Sequence, residues 1–408
     1  MGKLIKLAWR NIWRNGRRTL IAVIAIALGV AFLIFFDGVF AGSKQAVFGN
    51  AVKLQGGNVM VHAPGYIEKK NRNPLLPLPD MMRPVEVSLA QPETVSASRR
   101  INTSGMLSSH EGTLPVSIIG IEPEAEAQVG MLAGKIAQGR YLQGSDEDFI
   151  LVGKTLAERL DIVVNDRVTL IGRALHEQMR SRTMTVIGIY DMGLQEIEKG
   201  SVYISFLEAQ TLFDLYEQAT EVVISLQQIG QEASVVSTLQ TQLPGFEVHA
   251  WDELNPELRE TMDVNAEIMD IFGFVILIIA GVGILNLMLM AVFERTREIG
   301  LLASMGFKRS QILSLFLLEG ILIGLIGSFL GGFLGAGVVF YLNKVGIAWS
   351  TGEYSPVAAL LGTRLYPSVD IDLLFVRLFT VAFITAMASL YPAWRASRKE
   401  PAEALHYV

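Results

Sequence analysis

The sequence predicts a multi-pass α-helical membrane protein, with four transmembrane helices and a large α+β extracytoplasmic domain between the first and the second. Three observations carry that prediction. Four apolar runs, about 19–36, 271–293, 312–342 and 373–394, approach or exceed the roughly 20 residues needed to cross about 30 Å of hydrocarbon. The stretch 37–270 between the first two runs is polar and breaks into short β-like segments. Basic residues, finally, collect on one side of the runs.

The composition agrees with a chain that is partly embedded. Hydrophobic residues make up 51%, and the mean hydropathy of +0.39 is too high for an ordinary soluble protein. Charged residues at 18% are too many for a wholly buried one. The net charge of −6 gives no sign of a nucleic-acid partner. Cysteine is absent, which excludes disulfides, thiolate metal sites and cysteine nucleophiles.

Lys3, Lys6, Arg10, Arg14, Arg17 and Arg18 precede the first run. Arg295, Arg297, Lys308 and Arg309 separate the second from the third, and Arg395, Arg398 and Lys399 follow the fourth. The connection between runs three and four has only Lys344 and Arg364. An even number of spans puts the three basic segments on one side, which the positive-inside rule makes cytoplasmic. The protein is thus expected in the cytoplasmic (inner) membrane, with its large domain in the periplasm or outside. The expected order is a basic amphipathic helix at 1–18, a first span at 19–40 and an extracytoplasmic domain at 41–267. A second span at 268–293, a cytosolic helix at 294–310 and a third span at 311–342 follow. An external loop at 343–371, a fourth span at 372–394 and a cytosolic tail at 395–408 complete it.

Each element has its own grounds. Residues 1–17 place Ile5, Ala8, Trp9, Ile12 and Trp13 on one helical side and the basic residues on the other. Two readings stay open, an interfacial helix with Trp at headgroup level or a simple charged anchor. Val39-Phe40-Ala41 resembles a signal-peptide cleavage site, but the preceding apolar core is longer than the 7–15 residues typical of signal peptides, so retention is expected. Strand-like runs occur at 58–62, 116–121, 149–152, 167–172, 185–190 and 202–206, and 221–226, 230–243 and 246–251 read as a β-α-β unit. The run NPLLPLPD at 73–80 must be extended, because its prolines fix φ and remove donors. It is either a structural excursion or a contact surface.

In the third span Gly320, Gly324, Gly327, Gly331 and Gly335 recur mostly four apart, the spacing that lets helices approach closely in lipid. A dinucleotide reading of GGFLGAG fails, since no strand precedes it. Glu319 is costly in lipid and should meet protein or water, with a structural hydrogen bond preferred over a proton relay.

No active site emerges. VGKT at 152–155 has Asp148 where a phosphate-binding loop needs its first glycine. His62, His110, His176, His249 and His406 lack paired metal-ligand spacing, so no metal is expected. No G-x-S-x-G elbow occurs, and GSDEDF at 144–149 reads as a solvated acidic turn. The chain is expected not to be an enzyme.

The segment 293–313 is different. Arg295 to Met305 are good helix formers, Gly306 marks a stop, and Ile299, Leu302 and Ala303 can align as an apolar stripe. Either an outside partner pushes on this helix, or it is a charged turn anchoring two helix ends.

ERTREIGLLASMGFKRSQIL, from residue 294, resembles the signature loop of the ABC permeases related to MacB, FtsX and the lipoprotein-releasing LolC and LolE proteins, the mechanotransmission (type VII) family. The ending YPAWRASRKEPAEALHYV at 391–408 and ILVGKTLAERLDIVVNDRVTLIG at 150–172 are similar to that family too. WDELNP at 251–256 is nearest its lipoprotein-releasing branch. Asn165-Asp166 departs from the usual Gly-Asp. The resemblance implies a dimeric membrane subunit, with a second permease copy or paralogue, that works with two cytosolic ABC ATPase subunits. Those subunits, and not this chain, would hold ATP and Mg2+. It implies that 294–310 is a coupling helix, with Glu294, Arg295, Arg297, Glu298, Ile299, Leu302, Gly306 and Phe307 as its contacts. Cargo would be lipoprotein, lipid or an amphipathic compound handled outward, with a lipoprotein or periplasmic partner. The alternative is an FtsX-like signalling permease regulating a cell-wall hydrolase.

Overall fold

The computed structural model describes residues 2–14, 16–69, 75–348, 360–361 and 364–399. Along the chain run α1 (Gly2–Arg14), α2 (Gly16–Gln55), β1 (Val59–His62), α3 (Tyr66–Lys69), α4 (Met82–Leu89), β2 (Thr94–Ser108) and β3 (Thr113–Ile121). Next come α5 (Pro123–Val129), β4 (Ile136–Gly139), β5 (Phe149–Gly153), α6 (Lys154–Arg159), β6 (Arg167–Arg173), β7 (Met179–Tyr190), α7 (Gln195–Glu198) and β8 (Ser201–Ser205). Then follow α8 (Phe206–Phe213), β9 (Glu221–Leu226), α9 (Glu232–Gln242), β10 (Glu247–Ala250), α10 (Trp251–Leu254) and α11 (Pro256–Glu294). The last are α12 (Thr296–Ser304), α13 (Arg309–Val345), β11 (Ile347–Ala348), β12 (Arg364–Leu365) and α14 (Ile371–Ser397). The chain forms two compact units, one of 1–45, 261–349 and 363–408, the other of 46–260 and 350–362.

The second unit is built on one ten-stranded sheet. Its pairings form a ring, β2–β3–β8–β5–β7–β6 and back to β2, so the sheet closes on itself. Closure removes open edges from those six strands. Ile118, Val152, Leu170, Met184 and Ile204, all wholly buried, belong to one large apolar cluster of this unit. At the closing seam Gly105 of β2 faces Gly172 of β6. A Cβ at Gly105 would lie 2.3 Å from the Ile171 carbonyl oxygen, and one at Gly172 2.4 Å from the Phe213 ring. Only glycine permits that approach, as at other tight bends of closed sheets.

Outside the ring, β9 and β10 do not touch. β1 lies between them and runs antiparallel to both, so the expected β-α-β unit is split by an inserted strand. The fifteen-residue β2 joins this part to the ring, and it is absent from the sequence reading. Arg99 and Arg100 interrupt its apolar alternation. In the fold Arg100 is buried and bonds Glu126 at 2.6 Å and the Gln55 carbonyl at 2.6 Å, which satisfies a charge that would be costly alone. Glu221 lies nearby, and His62 reaches it at 3.1 Å. Burial pushes the Glu221 carboxyl up, but His62 and Arg100 outweigh it and hold it below the usual range.

One other loop expectation changes. The acidic turn is not simply solvated: Asp146 is buried and accepts from both Arg140 terminal nitrogens, at 2.8 and 2.7 Å, and from the Gln143 N–H. Of the proline run, 73 and 74 lie outside the described residues. Leu78 is buried in the core, and its N–H bonds the Ala219 carbonyl at 2.8 Å.

The first unit holds four helices long and apolar enough to cross a membrane, Thr19–Gln55, Pro256–Glu294, Arg309–Val345 and Ile371–Ser397, two of which run on into the second unit. α2 and α11 have 40 and 39 residues, about 60 Å at 1.5 Å per residue, or twice the hydrocarbon thickness. They pass beyond the expected limits at 40 and 268 because hydropathy marks the end of an apolar run, not of a helix. In the connection 343–371, β11 pairs with β12; residues 349–359 and 362–363, like the tail from 400, lie outside the described residues.

All five glycines of the α13 ridge are buried, and they divide between two neighbours. A Cβ at Gly320 or Gly324 would collide with Ser389 or Thr385 of α14. One at Gly327, Gly331 or Gly335 would collide with Ile26, Ala27 or Ala31 of α2. For Gly331 the obstacle is the Ala27 carbonyl oxygen, 2.4 Å away, which cannot rotate aside. Gly337 has nothing within 4 Å. Gly331→Ala should therefore cost about 1–3 kcal/mol through overpacking, and Gly337→Ala almost nothing. Thermal unfolding of the two variants in detergent checks this, and equal midpoints would contradict it.

Candidate functional site

The VGKT segment at 152–155 has no room to cradle a phosphate. Gly153 is required by the backbone of Glu198, whose carbonyl oxygen would lie 2.2 Å from a Cβ there. Lys154 is taken by Asp191 at 2.9 Å and Thr155 by Glu198 at 2.8 Å. One group of described residues, His110, Glu111 and Asp161, brings three metal-ligating atoms within 4.8 Å of one another. All three residues are exposed, and Asp161 comes from a distant turn, so sequence spacing could not show the group.

The more organised polar site lies where α1, α12 and α13 meet. α11 ends at Glu294, and the nine-residue α12 stops at Ser304. Gly306 takes a φ of +91°, and the Phe307 and Gly306 N–H groups bond back to the Leu302 and Ala303 carbonyls. That is a Schellman ending, which glycine adopts without strain. α13 then starts at Arg309, where Gln311 accepts from the Lys308 N–H at 2.9 Å.

Two buried charges and the half-buried Asn11 meet behind α12. Arg295 and Glu319 are 6% and 4% exposed, and they pair at 3.3 Å. Asn11 of α1 donates to Glu319 at 2.6 Å, and its carbonyl accepts from Arg295 at 3.0 Å. Among the described residues the Nε–H of Arg295 has no hydrogen-bond partner. Arg14 adds an exposed ion pair with Glu298. An exposed pair is worth about 0–1 kcal/mol, so it sets register more than strength. At the end of α14, Arg395 lies over the Phe293 ring, 4.8 Å from its centre.

The eight residues expected to contact a partner are not equivalent. Arg295 is consumed by Glu319 and Asn11, and Ile299 is buried with Phe316 and Ala393 in the bundle core. Neither offers a surface to a partner, which corrects the expectation for both. Ala303 and Phe307 are partly buried against the same core, and Leu302 is half-buried. Glu294 belongs to the end of α11; it, Arg297, Glu298 and Gly306 are exposed. The outward apolar residues are Leu301 and Met305, 49% and 70% exposed. They are spaced i, i+4, a pattern legible in the sequence, but the run of apolar residues hid which pair faces out.

A second charge cluster was missed. Arg377 of α14 bonds both oxygens of Asp37 on α2, at 2.8 and 3.1 Å, and Asp270 on α11 at 2.8 Å. Each is a single charge at or near the end of an apolar run, so only the fold reveals the triad.

Breaking a buried ion pair from one side costs about 3–5 kcal/mol, whereas replacing both members by apolar groups is nearly neutral. Glu319→Gln should therefore lower the thermal midpoint clearly, and Glu319→Leu with Arg295→Met should recover most of the loss. Detergent melts of the single and double variants check this. A double variant as unstable as the single one would show that the pair is not the source.

Residues 19–242 match the MacB-like periplasmic core domain family, and 271–401 match the FtsX-like permease C-terminal family. The chain is 25% identical over 412 residues to the lipoprotein-releasing system transmembrane protein LolC of Xylella fastidiosa, covering 97% of this chain and 95% of the relative. It is 24% identical to the protein of that name from Neisseria meningitidis serogroup B, covering 95% and 94%. Against the macrolide export ATP-binding/permease protein MacB of Hahella chejuensis it is 24% identical, covering 98% of this chain but 59% of that protein. The periplasmic region of MacB from Actinobacillus actinomycetemcomitans superposes with a TM-score of 0.36 and 15% identity, over 50% of this chain and 94% of that one.

Proposed function

The chain belongs to the MacB-like periplasmic core domain family and is an ABC transporter permease; from that premise we propose that it transmits the work of a separate cytosolic ATPase through α12. The ATPase would bind ATP with Mg2+, close, and shift the spans, so that the extracytoplasmic domain handles its cargo outward. Two relatives are named for lipoprotein release, which supports lipoprotein, lipid or another amphipathic cargo. A dimer, with a second copy or a paralogue, completes the proposed assembly.

One observation carries the reading. α12 is a separate nine-residue helix between two spans, with its inner face fixed by its own bundle, and its outer face exposes Leu301, with Met305 just past its end, beside Arg297 and Glu298. Leu301 and Met305 would fill a cleft on the ATPase, with Arg297 and Glu298 setting register. A short helix in a groove binds through a few such anchors. Arg295 and Ile299 would act from behind, by holding the helix in place.

Leu301→Asp or Met305→Asp puts an unpaired charge where the cleft would be. Each should weaken ATPase retention by about 2 kcal/mol, about thirtyfold, without disturbing the fold, because both side chains point outward. Co-purification of the ATPase with each variant, together with ATP turnover, tests the proposal. Wild-type retention and turnover in both would remove the docking role from α12.

A further inference from the structure

α1 has a second face that the docking reading does not use. Ala8 and Ile12 are buried and Asn11 reaches Glu319, so one side of the helix is occupied by the chain itself. The next arc around the helix carries Ile5, Trp9 and Trp13 at i, i+4 and i+8, which are 47%, 47% and 67% exposed. The two indoles meet edge to face, 6.0 Å apart. Beyond them come Lys6, Arg10 and Arg14, and Arg17 follows at the start of α2.

This basic arc is neutralised only where it meets α12, at Arg14 with Glu298. Lys6, Arg10 and Arg17 are exposed, and no described carboxylate pairs with them. An uncovered tryptophan stripe flanked by uncompensated cations has a physical counterpart. Indoles favour the headgroup level of a bilayer, and basic residues beside it favour anionic headgroups on the cytoplasmic leaflet.

We propose that α1 is a binding seat for anionic phospholipid headgroups, with Lys6, Arg10 and Arg17 taking the phosphates beside Trp9 and Trp13. The helix is then two-sided. Its lipid face lies next to the face whose Asn11 and Arg14 hold the α12 region. Nothing in this depends on whether an ATPase docks on α12, so the two readings fail separately.

The test uses the full chain in liposomes of phosphatidylcholine, doped at equal mole fraction with brominated phosphatidylglycerol or brominated phosphatidylcholine. Bromine quenches tryptophan on contact, and a W9F/W13F variant isolates the share due to these two rings. That share should be quenched several-fold more by the anionic lipid, since each basic residue near such a surface contributes about a fivefold gain. K6Q/R10Q/R17Q should abolish the preference and K6R/R10K/R17K should keep it. These substitutions leave the buried side of α1 untouched. Equal quenching by the two lipids, a preference that survives neutralisation, or no quenching of these rings would each overturn the proposal.

Discussion

The first unit depends on one buried charge pair. Arg295 and Glu319 are almost wholly withdrawn from solvent, beside a bundle core of apolar side chains. Either charge would be costly to bury alone, and its desolvation is offset by the other and by Asn11. That requirement fixes three elements at once. α1 must dock to bring Asn11, α13 must present Glu319, and the chain between α11 and α12 must turn so that Arg295 points inward. α12 is left projecting with Ile299 behind it and Leu301 and Met305 in front. The glycine ridge serves the same arrangement, since α2 and α14 approach α13 within distances that a Cβ would forbid.

The extracytoplasmic-type unit repeats the theme with different means. Arg100 is buried in the middle of a strand and answered by Glu126 and Glu221. With no cysteine in the chain, packing and these pairs must do what disulfides do in many external domains. Closing the six-stranded ring compounds the effect by leaving those strands without an open edge.

What was legible in the sequence follows from periodicity. The four long helices, most strands and the charged segment at 294–310 announce themselves by apolar runs, alternation or charge. β2 does not, because two adjacent arginines and many small polar residues mask its alternation, and the arginines' partners Glu122 and Glu126 come from α5 and the turn before it. The continuation of α2 to Gln55 was hidden for a simpler reason, as hydropathy falls before helicity does. Around α12 the residue types were readable, but their direction was not. Ile299, Leu301 and Leu302 are all apolar neighbours, and only the position of Arg295 decides which of them faces inward. The Asp37–Arg377–Asp270 triad has no local signature at all.

Buried charges of the chain itself set the position of α12. Hydrogen–deuterium exchange across residues 296–304, in the full chain reconstituted in nanodiscs, tests it most directly. Glu319→Gln leaves Arg295 without its counter-charge, so exchange along α12 should be faster than in the wild type, with the apolar middle of α13 unchanged. Protection of 296–304 that is identical in the two proteins would contradict it.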